Sequence, residues 1–167
     1  MKTYITDIRK ILEQAQKKAY GSINKAMIEA YWKIGERIVE EEQKGTERAK
    51  YGTELIKSIS NELTKDLGRG FSETSIRDYR KFYLVFPDWK EIAHACAELQ
   101  WSHIHLVMRV SDKKARQYYL EETTSQNWSV RTLDRNISTL YYQRLLSSQD
   151  KKPVEDEMAR YGNQDVN

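Results

Sequence analysis

Cysteine, proline and histidine are almost missing from this chain, and it has no long apolar run. A single thiol, Cys96, among 167 residues excludes an internal disulfide and suits a reducing cytoplasm. Two prolines and seven glycines argue against a turn-dense β fold and for long helices. No stretch approaches the roughly 20 apolar residues of a membrane-spanning helix, and no signal-peptide pattern is read. An excess of one charge is lacking too. Basic residues number 28 against 25 acidic, a net +3 too weak to imply nucleic acid by itself. The length suits one domain with a real core, plus a terminal extension.

Catalytic constellations are equally thin. His94, Cys96, His103 and His105 are the one group with metal-ligand chemistry. His103 and His105 stand two apart on a predicted helix and point to opposite sides, so they do not share an ion. His94 and Cys96 fail as a nucleophile pair for the same reason, and apolar neighbours make Cys96 a core residue. Glu42-Gln43-Lys44 and Pro87-Asp88 look like fragments of a metal-dependent nuclease signature, but both fall in predicted helices or at their ends. With no glycine-rich phosphate loop or nucleophile elbow, the sequence predicts no catalytic residue, metal or cofactor.

What the chain does have is organised around Thr64 to Phe86. Leu55, Ile56, Ile59 and Leu63 recur at helical spacing. Gly68 sits where a left-handed cap ends that helix, and Ser72 is placed to cap the next one. The second helix runs until Pro87, with Ile76, Tyr79, Tyr83 and Phe86 as its packing stripe. Arg77, Arg80 and Lys81 project from another face, and Glu73, Thr74 and Ser75 fill the first turn. Helix, glycine turn and a basic second helix form a helix-turn-helix-like arrangement. An ordinary αα-corner with a solvated charged face shares that pattern.

Residues 1–47 read as a helical hairpin. Ile5, Ile8, Leu12, Ala15 and Ala19 line a first helix ending near Gly21, and Ser22 caps a second carrying Ile23 to Ile38. Its charge is nearly balanced, which suits packing or a homodimer contact better than nucleic acid. Gly35 inside the second helix costs about 1 kcal/mol against alanine, so a close helix approach is expected there. Further on, an aromatic followed by serine precedes a helix three times: Phe71-Ser72, Trp101-Ser102 and Trp128-Ser129. The ring acts as a staple and the serine as a cap. The last start opens one long helix through Leu145, whose Arg131 and Arg135 lie one turn apart. Segments 48–86 and 101–147 each net +3, while residues 87–100 and 148–167 are both net negative; positive charge gathers on the motif-bearing parts. Residues 148–167 lack an apolar period and read as a polar linker or tail.

The motifs YG, GRGFS, FYxxFP, WSH, WSVR and YxRL, in that order, resemble the N-terminal domain of the YhcG-type bacterial proteins. The resemblance spans nearly the whole chain, and the ordered set is more specific than any one motif. It implies a domain that precedes a C-terminal PD-(D/E)xK nuclease-type domain and binds or targets DNA; the nuclease acids and lysine have no counterpart here. The expected fold is all-α, six to eight helices with a helix-turn-helix-like core. Residues 1–147 form the family domain (1–47 hairpin, 48–147 helix-turn-helix-like region). The expected function is DNA binding without catalysis in the cytoplasm. Phosphate contact is assigned to Arg69, Arg80, Lys81, Arg131 and Arg135, and base contact to Glu73, Thr74 and Arg77. The rival is a protein-interaction or dimerisation module.

Overall fold

A computed structural model of the protein describes residues 3–45 and 48–162. Regular structure in the described residues is helical throughout, nine helices with no strand. The chain divides into two compact units, Met1–Glu98 and Leu99–Asn167.

The first unit holds α1 (Thr3–Glu42), α2 (Arg48–Leu67), α3 (Glu73–Val85) and α4 (Trp89–Glu98). The expected hairpin in residues 1–47 is instead a single 40-residue helix; residues 1, 2, 46 and 47 lie outside the described residues. Gly21 does not stop it, because one interior glycine costs only about 1 kcal/mol. A break would strip partners from four N–H and four C=O groups. Ser22 does not cap; its Oγ donates to the Lys18 carbonyl one turn back, 3.1 Å.

From Ile28 onward α1 is the spine of this unit. Ile28, Trp32, Ile38 and Val39 are buried where α1 meets α3 and α4. At Gly35 the backbones of α1 and α3 nearly touch. A Cβ there would lie 2.0 Å from the Tyr79 carbonyl oxygen, so the close approach expected from this glycine is present. One turn earlier Tyr31 stacks on Tyr79, centroids 4.3 Å apart. The Trp32 indole N–H donates to the Phe86 carbonyl at 2.7 Å, satisfying the polar tip of a buried ring. On α3 the buried residues are Ile76, Tyr79 and Phe82, with Tyr83 only half-buried. The predicted stripe missed Phe82, because α3 packs on both α1 and α2 and so buries a wider arc than one stripe. Cys96 is a core thiol, fully buried, and burial pushes it up to about 12.

The second unit is built from α5 (Trp101–Val107), α6 (Lys113–Gln126), α7 (Val130–Ser138), α8 (Tyr141–Ser147) and α9 (Lys152–Gly162). Ser129 caps α7 as expected, its Oγ accepting from Thr132 N–H at 3.0 Å. The predicted long last helix, however, breaks at Leu140, which takes a left-handed conformation with φ 54°. This leaves Leu140 exposed and turns Tyr141 into the core. The Tyr119 hydroxyl bridges the break: it donates to the Asn136 carbonyl, 3.2 Å, and accepts from Tyr142 N–H, 3.1 Å. Trp101-Ser102 is not a cap pair either. Gln100 is the N-cap and Trp101 the first helical residue. Within the expected polar tail lies α9, which packs on α7 and α8 through half-buried Val154 and Met158. Two apolar residues one turn apart are too few to announce a period.

Candidate nucleic-acid interface

The α2–α3 corner is built by its glycines and pinned by a tyrosine. Gly68 and Gly70 have φ of +79° and +106°, conformations that charge a Cβ-bearing residue about 1–2 kcal/mol. Gly68 N–H closes α2 on the Thr64 carbonyl at 3.0 Å. From inside α3, the Tyr79 hydroxyl donates to the Gly70 carbonyl at 2.9 Å, fixing the turn to the helix that follows it. Ser72 caps α3, its Oγ accepting from Ser75 N–H at 3.2 Å. The start of α3 is therefore held on both sides.

The charged residues around this corner differ in what they are free to do. Arg69, Thr74, Arg77 and Lys81 are exposed. Arg77 is joined to Glu73 one turn back at 2.8 Å, a solvated pair worth only a few tenths of a kcal/mol. Arg80 is committed elsewhere: its Nε donates to both carboxylate oxygens of Glu42, at 2.8 and 2.7 Å. The pair ties α3 to the end of α1, beside a cleft of about 410 Å³ lined by Val39, Glu42, Thr53, Arg77 and Arg80. The sequence singled out Glu42 only within a nuclease-like fragment, and its pairing with Arg80 is what that reading missed. Glu42 stands 38 positions from Arg80 in an acidic run, and no local pattern links the two.

Arg131 and Arg135 belong to the second unit, so the expected basic residues fall in both of the compact units. Arg131 is exposed. Arg135 is half-buried under α9, donating to the Tyr161 carbonyl at 3.2 Å with its guanidinium 5.2 Å from the Tyr161 ring centroid. Arg144 pairs with Glu157 on the same helix. None of these α9 contacts had a signal in the sequence, because the partners lie 13 to 26 residues apart.

The histidine group does not assemble into a metal site. Among the described residues no three His, Cys, Asp or Glu side chains are arranged to hold an ion. His103 is structural: Nε2–H donates to the Trp128 carbonyl at 3.0 Å and Nδ1 accepts from Gln100 N–H at 3.2 Å. Burial holds its pKa below the ordinary 6.5, opposed by the Trp128 hydrogen bond. Among the described residues no helix is long and apolar enough to cross a membrane.

Residues 7–144 match the family described as the DUF1016 N-terminal domain. The chain belongs to that family. A relative in Escherichia coli strain K12, named "Putative nuclease YhcG", is 32% identical over 86% of this chain and 46% of its own length. The DUF1016 chain thus spans about half of that protein, and the part matched is the N-terminal domain rather than a PD-(D/E)xK catalytic region. No solved structure matches it.

Proposed function

We propose that this DUF1016 domain is a non-catalytic DNA-binding or targeting domain, with α2, the turn at Gly68–Gly70 and α3 acting as a helix-turn-helix-like element. One observation carries the reading: exposed Arg69, Thr74 and Arg77 lie in the turn and the first turns of the capped and pinned α3, with exposed Lys81 one turn further along the helix. In this arrangement the first turns of the second helix meet base edges while flanking cations meet phosphates. On the first unit base contact falls to Glu73, Thr74 and Arg77 and phosphate contact to Arg69 and Lys81; on the second, taken by itself, phosphate contact falls to Arg131. Arg80 and Arg135 join them only by leaving Glu42 and Tyr161. The name of the E. coli relative supports a setting in which residues 1–147 target a C-terminal nuclease-type domain of a longer protein. A protein-interaction role is the second reading, favoured by the exposed N-terminal half of α1.

The test is an anisotropy titration with short labelled duplexes at several salt concentrations. Binding should weaken steeply with salt, and Arg69→Ala/Lys81→Ala should lower the magnitude of the slope by about 2 on every sequence. Arg77→Ala should cost about 1–3 kcal/mol on a preferred site and little on random DNA. Arg80→Ala should change the slope less than Lys81→Ala, since Glu42 already neutralises it. Absence of any salt-sensitive binding would sink the proposal. Loss through Arg131→Ala alone would move the reading helix to α7.

A further inference from the structure

The two halves of α1 present apolar residues to opposite sides. Ile28, Trp32 and Val39 face the core of the first unit. Ile5, Ile8, Leu12, Ala15 and Ala19 repeat at coiled-coil spacing through the other half, with Ser22 at the next such position and Ile23 beside it, and all of these are exposed. At 3.6 residues per turn, Leu12 and Ile28 stand about 160° apart around the axis. The exposed stripe therefore does not continue the packed one. Ile8 is 51% exposed, Leu12 58% and Ile23 61%, with exposed Tyr4, Ile11 and Tyr20 on the flanks of the stripe. A run of large apolar side chains exposed along about five turns of one helix is more than a monomer ordinarily leaves open, and faces of this kind form two-chain interfaces.

We propose that a second copy of this chain docks on the face, the two α1 segments running antiparallel as a two-helix coiled coil over residues 5–22. Facing positions in that register choose the orientation. Leu12 meets the partner's Ala15, Ile8 meets the partner's Ala19, and Ile5 meets the partner's Ser22: large against small in each layer. A parallel pairing would set Ile5, Ile8 and Leu12 against themselves at one end and alanine against alanine at the other, leaving voids. Antiparallel flanks bring no two cations together: Arg9 falls opposite the partner's Gln16, Lys18 opposite the partner's Ile11, and Lys25 opposite the partner's Tyr4. The Ser22 hydroxyl is already satisfied by the Lys18 carbonyl, so burying it orphans no donor. The inference is independent of DNA binding.

Light scattering on the full chain reads the assembly directly. The wild type should have twice the monomer mass at micromolar concentration, and Ile8→Glu/Leu12→Glu should halve it with helical content retained, since both positions are exposed within α1. Orientation is read by cysteine pairing, with buried Cys96 as an unreactive background. Ile5→Cys mixed with Ser22→Cys should give a crosslinked heterodimer, while Ile5→Cys alone should give none. A monomeric wild type at high micromolar concentration, or a mass unmoved by the glutamates, overturns the interface. Crosslinking of Ile5→Cys by itself overturns the antiparallel register.

Discussion

In the first unit a 40-residue helix supplies one side of the core, and contact is made ring against ring: Tyr31 on Tyr79, Trp32 against Tyr83 and Trp89. In the second, no helix among the described residues exceeds the 14 residues of α6. There rings meet as well, Tyr118 with Tyr141 and Tyr142 and Trp128 with Tyr141, but Thr123, Thr132, Asn136 and His103 are buried among them, and Tyr119 and His103 hydrogen-bond from one helix to another. The Tyr119 hydroxyl bridges α7 to α8 and His103 joins α5 to the start of α7, while Thr123 Oγ1 donates to the Tyr119 carbonyl one turn back within α6. Ring packing tolerates small shifts, because dispersion contacts are many and individually weak; the first unit adds to it a fully buried link between helices, the Trp32 indole N–H on the Phe86 carbonyl. Buried polar links do not tolerate such shifts, since each broken one leaves a donor or acceptor orphaned at about 1–3 kcal/mol. The second unit should be the more brittle of the two.

The largest expected effect is at Trp128. The ring is 7% exposed, packs edge-on to Tyr141, and its carbonyl accepts from His103. Trp128→Ala should cost about 3–5 kcal/mol. Hydrogen exchange by mass spectrometry should show α5 to α8 losing protection while α1 to α4 keep theirs. Equal loss in both sets would mean that the units unfold as one and that the contrast has no energetic content.

Gly35→Ala is the matching disturbance of the first unit. Its Cβ would meet backbone atoms of Tyr79, which cannot rotate away, so about 1–3 kcal/mol of overpacking is expected. Here protection should fall in α1 and α3. An unchanged melting temperature would show that the two helices slide apart freely, contrary to a crossing fixed by stacked rings.

The position of this glycine was legible in the sequence, as were the turn at Gly68, the caps at Ser72 and Ser129, the core thiol and the all-α class. Each rests on a residue type with one dominant physical use. What was not legible shares a different property. The continuous α1 requires knowing that no partner folds back along it, since Gly21-Ser22 is compatible with a turn or a helix. The break at Leu140 depends on Tyr119, more than twenty residues earlier, accepting a released N–H. Commitment of Arg80 to Glu42 depends on α1 running straight enough to deliver Glu42 beside α3. Basic residues could therefore be located as candidates, but whether each is available to a ligand is a tertiary fact.

Smaller effects come from the two serine caps, which sharpen the comparison because the same chemistry occurs once in each unit. Ser72→Ala and Ser129→Ala should each cost about 1 kcal/mol, read by chemical denaturation. If the second unit is the more brittle, Ser129→Ala should lower protection through the whole of α7 and α8, while Ser72→Ala should fray only the first turn of α3.

The smallest effect, and the most selective, is on acidification. Burial lowers the His103 pKa below 6.5, partly offset by the hydrogen bond to Trp128, and Nδ1 must stay unprotonated to accept from Gln100 N–H. Unfolded chains take up a proton near pH 6.5 before the folded protein does. This contribution to stability is therefore complete above that pH and shrinks as pH falls from 6.5 toward the lower folded pKa. Between pH 7 and 5.5 the second unit should lose protection while the first holds, and His103→Gln should remove most of the difference at the cost of lower stability at pH 7. Equal softening of both units, or a pH response surviving in His103→Gln, would place the sensitivity elsewhere. His103 would then be a spectator, and the polar links of the second unit would be no more fragile than the rings of the first.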